Sequence, residues 1–367
     1  MRITKLGDIA DIITGPFGSQ LHKEDYVEHG IPVIMPQNIA DRRVDENNIA
    51  QISERDYQRL KRYATQKYDL VYARRGDVEK HAYIDHNKKV LCGTGCLRIR
   101  VTDASVVPLY LSFYLCRPET RKWLVTHAVG SNMLNLNAGI LSEVPIELPD
   151  YATQVKVAKA LQRIEDKVSL NEKVNDNLQQ QAQLLFDFMF QDISGSKHIG
   201  DFIVPQRGSA LLSKDAIPGD VPVVAGGLEP ATYHNAANTV APVITISSSG
   251  ANAGFVNLWG VPVWSSDSSF IDFKMTSHVY FWYALLKRHQ NNIYKIQTGS
   301  AQPHIYPSHI ASLPVCDLNF EKVADYTEQV TPLFALIAKN YKESNQLRAL
   351  RDWLLPMLMN GQAAISN

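Results

Sequence analysis

The sequence has no excess of either charge, with 37 lysines and arginines against 37 aspartates and glutamates among 367 residues. It therefore lacks the basic surplus of many nucleic-acid-binding proteins, although a local basic face is enough to bind DNA. Its four cysteines are too few for a disulfide scaffold and favour a reducing compartment, so we expect a cytoplasmic protein. No stretch approaches about 18 uninterrupted apolar residues, and the N-terminus lacks an apolar signal segment, which predicts no membrane association.

Motifs of phosphoryl and methyl transfer are missing as well. The glycine-rich loop Ser247–Gly254 lacks the Lys-Ser/Thr pair of a nucleotide-binding P-loop, so we expect no ATP site. There is no G-x-G-x-x-G loop and no NPPY-like methyltransferase motif. Cys92 and Cys96 have no second Cys/His pair at zinc spacing, which favours structural cysteines over a metal site. These absences argue against an ATP site, a methyltransferase site and a zinc site in this chain.

One short pattern imitates a metal-dependent nuclease. Pro149-Asp150 is followed by Glu165 and Lys167, in the order of the PD…ExK motif. In such nucleases a strand aligns the second carboxylate and the lysine, whereas Glu165 and Lys167 lie here in a predicted helix. A chance match is favoured, and a stand-alone nuclease remains an alternative.

What the sequence does contain is an internal repeat. GSNMLNLNAGILSEVP occupies Gly130–Pro145, and the similar GSAQPHIYPSHIASLP occupies Gly299–Pro314. Each stretch leads into a long polar helix, and shorter matches occur earlier in the chain in the same order. The copies differ most between Val33 and Leu97, a stretch that we call the divergent segment. A duplicated scaffold that differs in one segment indicates two similar domains that recognise different targets.

The alignment of the two copies also bears on the nuclease-like pattern. The counterparts of Glu165 and Lys167 in the second copy are Phe334 and Leu336, so the pattern is not repeated. This difference again favours a chance match.

The repeat predicts an α+β fold, with two mixed α/β globular domains in tandem and a long helix after each. The predicted limits are residues 1–150 for the first domain, 151–192 for the first spacer helix, 193–318 for the second domain, 319–360 for the second spacer helix and 361–367 for a tail. Short β-rich runs predict strands at Ile31–Met35, Leu70–Ala73, Leu97–Val101, Val221–Val224, Val243–Ser247 and Phe270–Phe273. Amphipathic helices are expected near Val107–Leu115 and His278–Leu286.

Both long helices carry apolar residues at alternating spacings of three and four, which is the seam of a coiled coil. Asn171 and Asn340 match across the repeat within this seam. Because polar seam residues fix register, we expect the helices to pair antiparallel in one alignment. Pro332 is expected to kink the second helix or delay its start. About 36 residues give a rod of roughly 50 Å, which would hold the two globules apart. The predicted pairing residues are Leu161, Ile164, Val168, Asn171, Leu178, Leu185, Leu333, Ile337, Asn340, Leu347 and Leu354.

Three stretches carry a family resemblance. They are LGDIADIITGPFGSQL at Leu6–Leu21, GSNMLNLN with the residues that follow it at Gly130–Pro149, and QVKVAKALQRIEDKVSLNEKVNDNL at Gln154–Leu178. In this order, with a second copy downstream, they resemble the specificity subunit of type I restriction–modification systems. The resemblance implies two target-recognition domains, each reading one half of a split DNA sequence. It also implies that the chain has no catalytic activity of its own.

The resemblance also implies partners. These are double-stranded DNA, two methyltransferase (modification) subunits docked on the helices, and restriction subunits. S-adenosylmethionine, ATP and Mg are expected in those partner subunits and not in this chain. A protein–protein scaffold, built on the coiled coil with globules that bind proteins, is the other alternative.

Basic and amide side chains supply the candidate DNA contacts. The run from Arg55 to Lys67 combines five cations with interleaved tyrosines, which suits phosphate contacts, and a solvated helix face is the alternative. Loops near Arg75 and Ser249 can present backbone amides to phosphate or can be ordinary turns. The predicted DNA-contact residues are Arg42, Arg43, Arg55, Arg59, Lys61, Arg62, Lys67, Arg74, Arg75, Asn132, Asn135, Arg207, Ser248, Ser249, Asn252, Gln302 and His304.

Overall fold

The computed structural model describes residues 1–130, 133–191, 195–299, 302–363 and 365. The chain divides into two compact units. Unit 1 comprises Met1–Asp166 and Leu347–Asn367, and unit 2 comprises Lys167–Gln346. The domain limits expected from the sequence stay a prediction.

Unit 1 is built on two four-stranded sheets and a strand pair. The strands are β1 (Arg2–Lys5), β2 (Ala10–Thr14), β3 (Tyr26–Val27), β4 (Ile31–Ile34), β5 (Gln51–Ile52), β6 (Leu70–Ala73), β7 (His81–Tyr83), β8 (Leu91–Cys92), β9 (Cys96–Val101) and β10 (Pro145–Leu148). The helices are α1 (Leu6–Ile9), α2 (Glu54–Arg59), α3 (Pro108–Leu115), α4 (Pro118–His127), α5 (Ala138–Ser142) and the long α6 (Tyr151–Met189), of which the residues from Lys167 onward belong to unit 2. The sheets have the orders β2-β9-β6-β7 and β3-β5-β4-β8, and β1 pairs with β10.

Strand β6 is covered on both faces, which explains why its sequence does not alternate between apolar and polar residues. Successive side chains of a strand point to opposite faces of the sheet. Leu70 and Tyr72 enter the main core with the helices, while Val71 and Ala73 enter a smaller core with Ile34. Because both faces of the strand are covered, all four of its residues are buried.

Unit 2 repeats this plan in shortened form. Its strands are β11 (Lys197–His198), β12 (Gln206–Arg207), β13 (Val221–Val224), β14 (Thr232–His234), β15 (Val243–Ser247), β16 (Val256–Trp259), β17 (Trp264–Ser265), β18 (Ser268–Asp272) and β19 (Pro314–Val315). Its helices are α7 (Val279–Arg288), α8 (Gln290–Lys295), α9 (Pro307–Ala311) and the long α10 (Phe320–Met359), of which the residues from Leu347 onward belong to unit 1. The sheet order β12-β18-β15-β16 corresponds strand for strand to β2-β9-β6-β7, and β14-β13-β17 and β11-β19 complete the unit. The internal repeat is thereby confirmed as a repeat of topology.

The long helices pair antiparallel, as the sequence predicts. In unit 2, Nδ2 of Asn171 donates to Oγ of Ser344 over 3.2 Å, and Nδ2 of Asn340 donates to Oδ1 of Asn175 over 2.8 Å. All four side chains are buried. Further along the same pair, the ring of Phe186 lies 5.6 Å from that of Tyr326. The residue numbers rise on one helix and fall on the other, which establishes the antiparallel direction, and the polar layer fixes the alignment.

The seam differs from the predicted one near the helix ends. The predicted pairing residues are all buried or half-buried, but Glu165 and Phe186 are more deeply buried than their neighbours Ile164 and Leu185. A straight helix drifts by about 20° per heptad from a strict seven-residue repeat, which moves the contact line by one residue over this length. Of the two effects expected of Pro332, the delayed start is wrong, because α10 begins at Phe320 and continues through the proline; the kink stays a prediction.

Candidate nucleic-acid interface

A loop pair in unit 1 brings together three of the predicted residues. Strand β6 ends at Ala73, and the backbone of Arg75 in the next loop forms a bridge with Asn135. Nearby, the amide of Gly76 donates to the carbonyl of Leu134 over 3.1 Å, and a second bond joins Leu136 to the carbonyl of Arg74. Gly76 has a φ of +82°, a conformation that favours glycine. The loop after a buried strand is thus held to a second loop, with Arg75 exposed at the junction.

The same loop pair recurs in unit 2. Strand β15 ends at Ser247, and Ser249 forms a backbone bridge with His304, the counterpart of Asn135. The amide of Gly250 donates to the carbonyl of Pro303 over 3.1 Å, and the φ of Gly250 is again +82°. Two loops that are far apart in sequence meet in the same way in both copies, so the repeat extends to the geometry of the candidate site.

The two loop pairs differ in how they carry charge. In unit 1 the guanidinium of Arg74 lies 5.8 Å from the ring of exposed Phe17. In unit 2 the arginine is Arg207 of strand β12, which forms an ion pair of 3.1 Å with Asp267. Asp267 also accepts a hydrogen bond from the hydroxyl of Ser249. The structure therefore gathers Arg207 and Ser249 around an acid that the sequence analysis did not select, although Asp267 is the one charge in the run Trp264–Phe270.

The basic run from Arg55 to Lys67 begins in helix α2, whose first turn is capped by the hydroxyl of Ser53. Arg59 forms ion pairs of 3.1 Å with Asp25 and 3.0 Å with Asp56. The pKa of Asp56 is lowered by the hydrogen bond from Ser53 and by the cations of Arg59 and Arg55. Arg59 thus has two acidic partners in the protein, which reduces what it can offer to a phosphate.

The rest of the run is more open. The side chains of Lys61, Arg62 and Lys67 are exposed and have no ion pair with any residue that the structure describes. The guanidinium of Arg62 lies 4.9 Å from the ring of Tyr63, and the ammonium of Lys67 lies 5.1 Å from that of Tyr68. Arg55 is exposed as well and has no ion pair with a described residue, so these four cations of the run are available for phosphate contacts.

Two arginines of strand β9, buried Arg98 and half-buried Arg100, hold the end of this run in place. Arg98 donates to the carbonyl of Arg62 over 3.1 Å and to that of Ala64 over 2.9 Å. Arg100 forms an ion pair of 2.6 Å with buried Asp69. Nη2 of Arg100 also donates to the carbonyl of Ala64 over 3.3 Å. The backbone between Arg62 and Ala64 is thus bound to strand β9, which reduces the entropy lost when the neighbouring cations bind.

Two predicted DNA contacts need correction. Arg42 is 9% exposed, with its guanidinium 3.4 Å from the ring centroid of Phe113 and Nε bonded to Ser112. Ser248 is 1% exposed. Neither side chain can reach a phosphate from the interior of its unit. A third residue, Arg43, is half-buried and forms an ion pair of 3.4 Å with Glu165.

The remaining predicted contacts stay predictions. Asn252 donates to the carbonyl of Gly226 over 3.4 Å, and Gln302 is exposed. Asn132 lies outside the described residues.

The described residues form no metal site, and the two closely spaced cysteines are buried. Across the described ranges there is no group of three or more His, Cys, Asp or Glu side chains that could hold a metal ion. Cys92 and Cys96 are buried, and burial raises the pKa of Cys92 to about 12, so the thiolate is not available at neutral pH.

The residues of the PD…ExK pattern have structural partners. Glu165 forms an ion pair with Arg351, and Asp150 accepts a bond from the amide of Thr153 at the start of α6. Both carboxylates are therefore engaged in holding the fold.

Among the described helices, none has the length and apolar content needed to cross a membrane.

Comparison with known proteins gives one family. Residues 1–180 match the type I restriction modification DNA specificity domain. The chain is 25% identical over 133 residues to the HindI specificity subunit of Haemophilus influenzae, covering 35% of this chain and 29% of that protein. It is 24% identical over 140 residues to the EcoBI specificity subunit of Escherichia coli, covering 38% and 30%. Each alignment thus spans less than a third of the relative.

Among solved structures, the chain is similar to the type I restriction–modification system S subunit from M. genitalium. The TM-score is 0.58 at 17% identity, over 97% of this chain and 95% of that one. This likeness shows a shared fold, and with the observed elements it confirms the predicted α+β tandem architecture.

Proposed function

We propose that this chain, which belongs to the type I restriction–modification DNA specificity family, binds a split DNA sequence and reads one half of it with each unit. The observation that carries the proposal is the loop pair that occurs in both units with different side chains. Arg75 and Asn135 meet in unit 1, and Ser249 and His304 meet in unit 2. One frame with two sets of side chains is what a protein needs to read two different half-sites.

The basic run and the loop pairs have different roles in the proposed DNA binding, because their side chains differ in chemistry. Cations such as Lys61, Arg62 and Lys67 contact phosphates and give affinity without sequence information. Guanidinium, amide and imidazole groups such as those of Arg75, Asn135 and His304 can bond to base edges and give specificity.

The chain serves in this proposal as a recognition subunit without catalytic activity. Methyl transfer and restriction belong to partner subunits, two for modification and others for restriction, and S-adenosylmethionine, ATP and Mg are their cofactors. The chain would act where the DNA is, in the cytoplasm. The paired helices dock the partners, and their lengths of 39 and 40 residues set the spacing between the half-sites.

Mapping of methylated positions tests the proposal. DNA from cells that express the modification subunits, with and without this chain, is sequenced for methylated bases. A split motif that occurs only when the chain is present is the expected result. Methylation that is absent, or identical in both samples, would contradict the proposal.

A further inference from the structure

The loop Asp41–Arg43 lies inside the divergent segment, and its central residue has an unusual backbone. Arg42 has a φ of +59°, in the left-handed region that non-glycine residues seldom occupy. Such a conformation persists only where the surroundings fix it. The side chain is also buried, which is rare for an arginine without specific partners.

Three successive residues of this loop each contact a helix of unit 1. Asp41 forms an ion pair of 2.6 Å with Arg121 on α4. The guanidinium of Arg42 stacks 3.4 Å from the ring centroid of Phe113 on α3, while Nη2 donates to Gln162 on α6 over 3.2 Å. The next residue, Arg43, pairs with α6 through Glu165.

The backbone of the same loop continues the central sheet. The amide of Arg42 donates to the carbonyl of His81 over 2.8 Å, and the amide of Tyr83 donates to the carbonyl of Arg42 over 3.3 Å. Oγ of Ser112 accepts from Arg42 and also lies 2.9 Å from Nε2 of buried His81. Arg42 thus joins the sheet edge of the divergent segment to the helices through its backbone and its side chain together.

A cavity separates part of the loop from the helices. Asp41, Arg42, Phe113 and Glu165 line this open space of about 850 Å³. Where the cavity lies between them, few atoms are in contact and dispersion contributes little. Among the described residues, the ion pairs, the hydrogen bonds and the stacking on Phe113 are therefore the contacts that orient the loop.

The second copy shows what this place contains when the arginine is absent. In the alignment of the two copies, Glu165 corresponds to Phe334 and Phe113 corresponds to Tyr283. In unit 2 these two rings meet edge-on, with centroids 5.9 Å apart. At this place the helices of unit 2 are in contact through aromatic rings, so helix contact in this frame does not require an arginine.

We infer that Arg42 is a positioning residue, which fixes the DNA-reading segment of unit 1 on its helices and so sets which sequence that unit reads. This inference rests on the proposed function. Arg42 contacts no base or phosphate itself. It acts by holding the divergent segment in the orientation at which the exposed side chains reach the bases.

The test compares the wild-type chain, in complex with its modification subunits, with the variant Arg42→Ala. Selection from randomised duplexes should show that the preference at the unit 1 half-site falls by about tenfold, the effect of losing one base-pair contact. The preference at the unit 2 half-site and the salt dependence of non-specific binding should stay unchanged. A folded Arg42→Ala complex that keeps the full wild-type preference would overturn the inference.

The variant Arg42→Met separates positioning from packing. The unbranched apolar side chain can still lie against the ring of Phe113 but has no donor for Ser112 or Gln162, so the melting temperature should stay closer to that of the wild type, while the preference at the unit 1 half-site should stay low. A return of the full preference in Arg42→Met would show that Arg42 acts only through packing and would overturn the inference.

Hydrogen exchange gives a readout that is independent of DNA. In both variants the amides of Arg42 and Tyr83 should exchange faster, while those of α3 stay protected. Unchanged exchange in the loop would overturn the inference even if DNA recognition were lost. Conversely, a wild-type complex that shows no sequence preference, together with faster loop exchange in the variants, would count against the proposed function and not against the anchoring role of Arg42.

Discussion

The buried layer in the helix seam of unit 2 allows a quantitative test of the pairing. Nδ2 of Asn340 donates to Oδ1 of Asn175 over 2.8 Å, and the two residues are 7% and 3% exposed. Asn340→Ala removes the donor. Oδ1 of Asn175 then stays buried between the helices without that hydrogen bond. A buried polar group that loses its partner costs about 1–3 kcal/mol. We therefore expect the free energy of unfolding to fall by about 2 kcal/mol.

A double-mutant cycle isolates the hydrogen bond from other effects. Asn175→Ala should cost a similar amount, but the double variant leaves neither partner behind, so its cost should be about 1 kcal/mol less than the sum. Urea unfolding of the four chains, followed by far-UV circular dichroism, measures each value. Asn177→Ala is the matched control, because Asn177 is exposed on the same helix and bonds only to Gln181 among the partners seen. Strictly additive costs would refute the bonded layer.

Three further predictions concern charge. Arg62→Ala and Lys61→Ala should each reduce the slope of log K against log salt by about 1 without changing sequence preference, as fluorescence anisotropy across a salt series can show. Asp267→Asn removes the negative charge from the ion pair with Arg207, so that Arg207 is less firmly positioned. Duplex selection should then show a changed preference at the unit 2 half-site alone. Burial lowers the pKa of His81 well below its usual value. The unfolded chain therefore binds a proton that the folded chain does not, and stability should fall as pH drops below about 6.5. His81→Gln should weaken that fall in urea unfolding at several pH values.

Each of these predictions has its own control or contrary outcome. Lys159→Ala removes an exposed cation from α6, outside the basic run, and should leave the salt slope unchanged. A changed preference at both half-sites in Asp267→Asn would show that the two units do not read independently. Burial also lowers the pKa of His289 in unit 2, so His81→Gln should remove only part of the pH dependence. An unaltered pH profile would contradict the buried neutral state of His81.

The features that the sequence predicted well are those that depend on local chain properties. Strands Leu70–Ala73, Val221–Val224 and Val243–Ser247 begin and end where predicted, because short apolar runs there are bounded by residues that disfavour strands. The Asn171 and Asn340 layer was predictable because polar residues at matching positions of an apolar seam destabilise it unless they face polar partners. The loop pairs were only partly predictable, since the sequence shows which loops follow strands but not which distant loop each one meets.

Arg42 shows where such reasoning fails and how the repeat could have corrected it. From the sequence alone, Arg42 and Arg62 are equivalent, because both are arginines in the divergent segment near other charges. Their burial depends on what the fold places next to them, which composition and spacing do not show. The alignment of the two copies nevertheless contained a signal, since Glu165 stands where the second copy has Phe334. A charged residue at a position that is apolar in the other copy needs a charged partner inside the domain, because an unpaired buried charge is costly. The structure gives Glu165 two such partners, Arg351 on α10 and Arg43 in the divergent segment. The repeat could therefore have indicated that Arg43, and with it the neighbouring Arg42, lies against the helices and not on DNA.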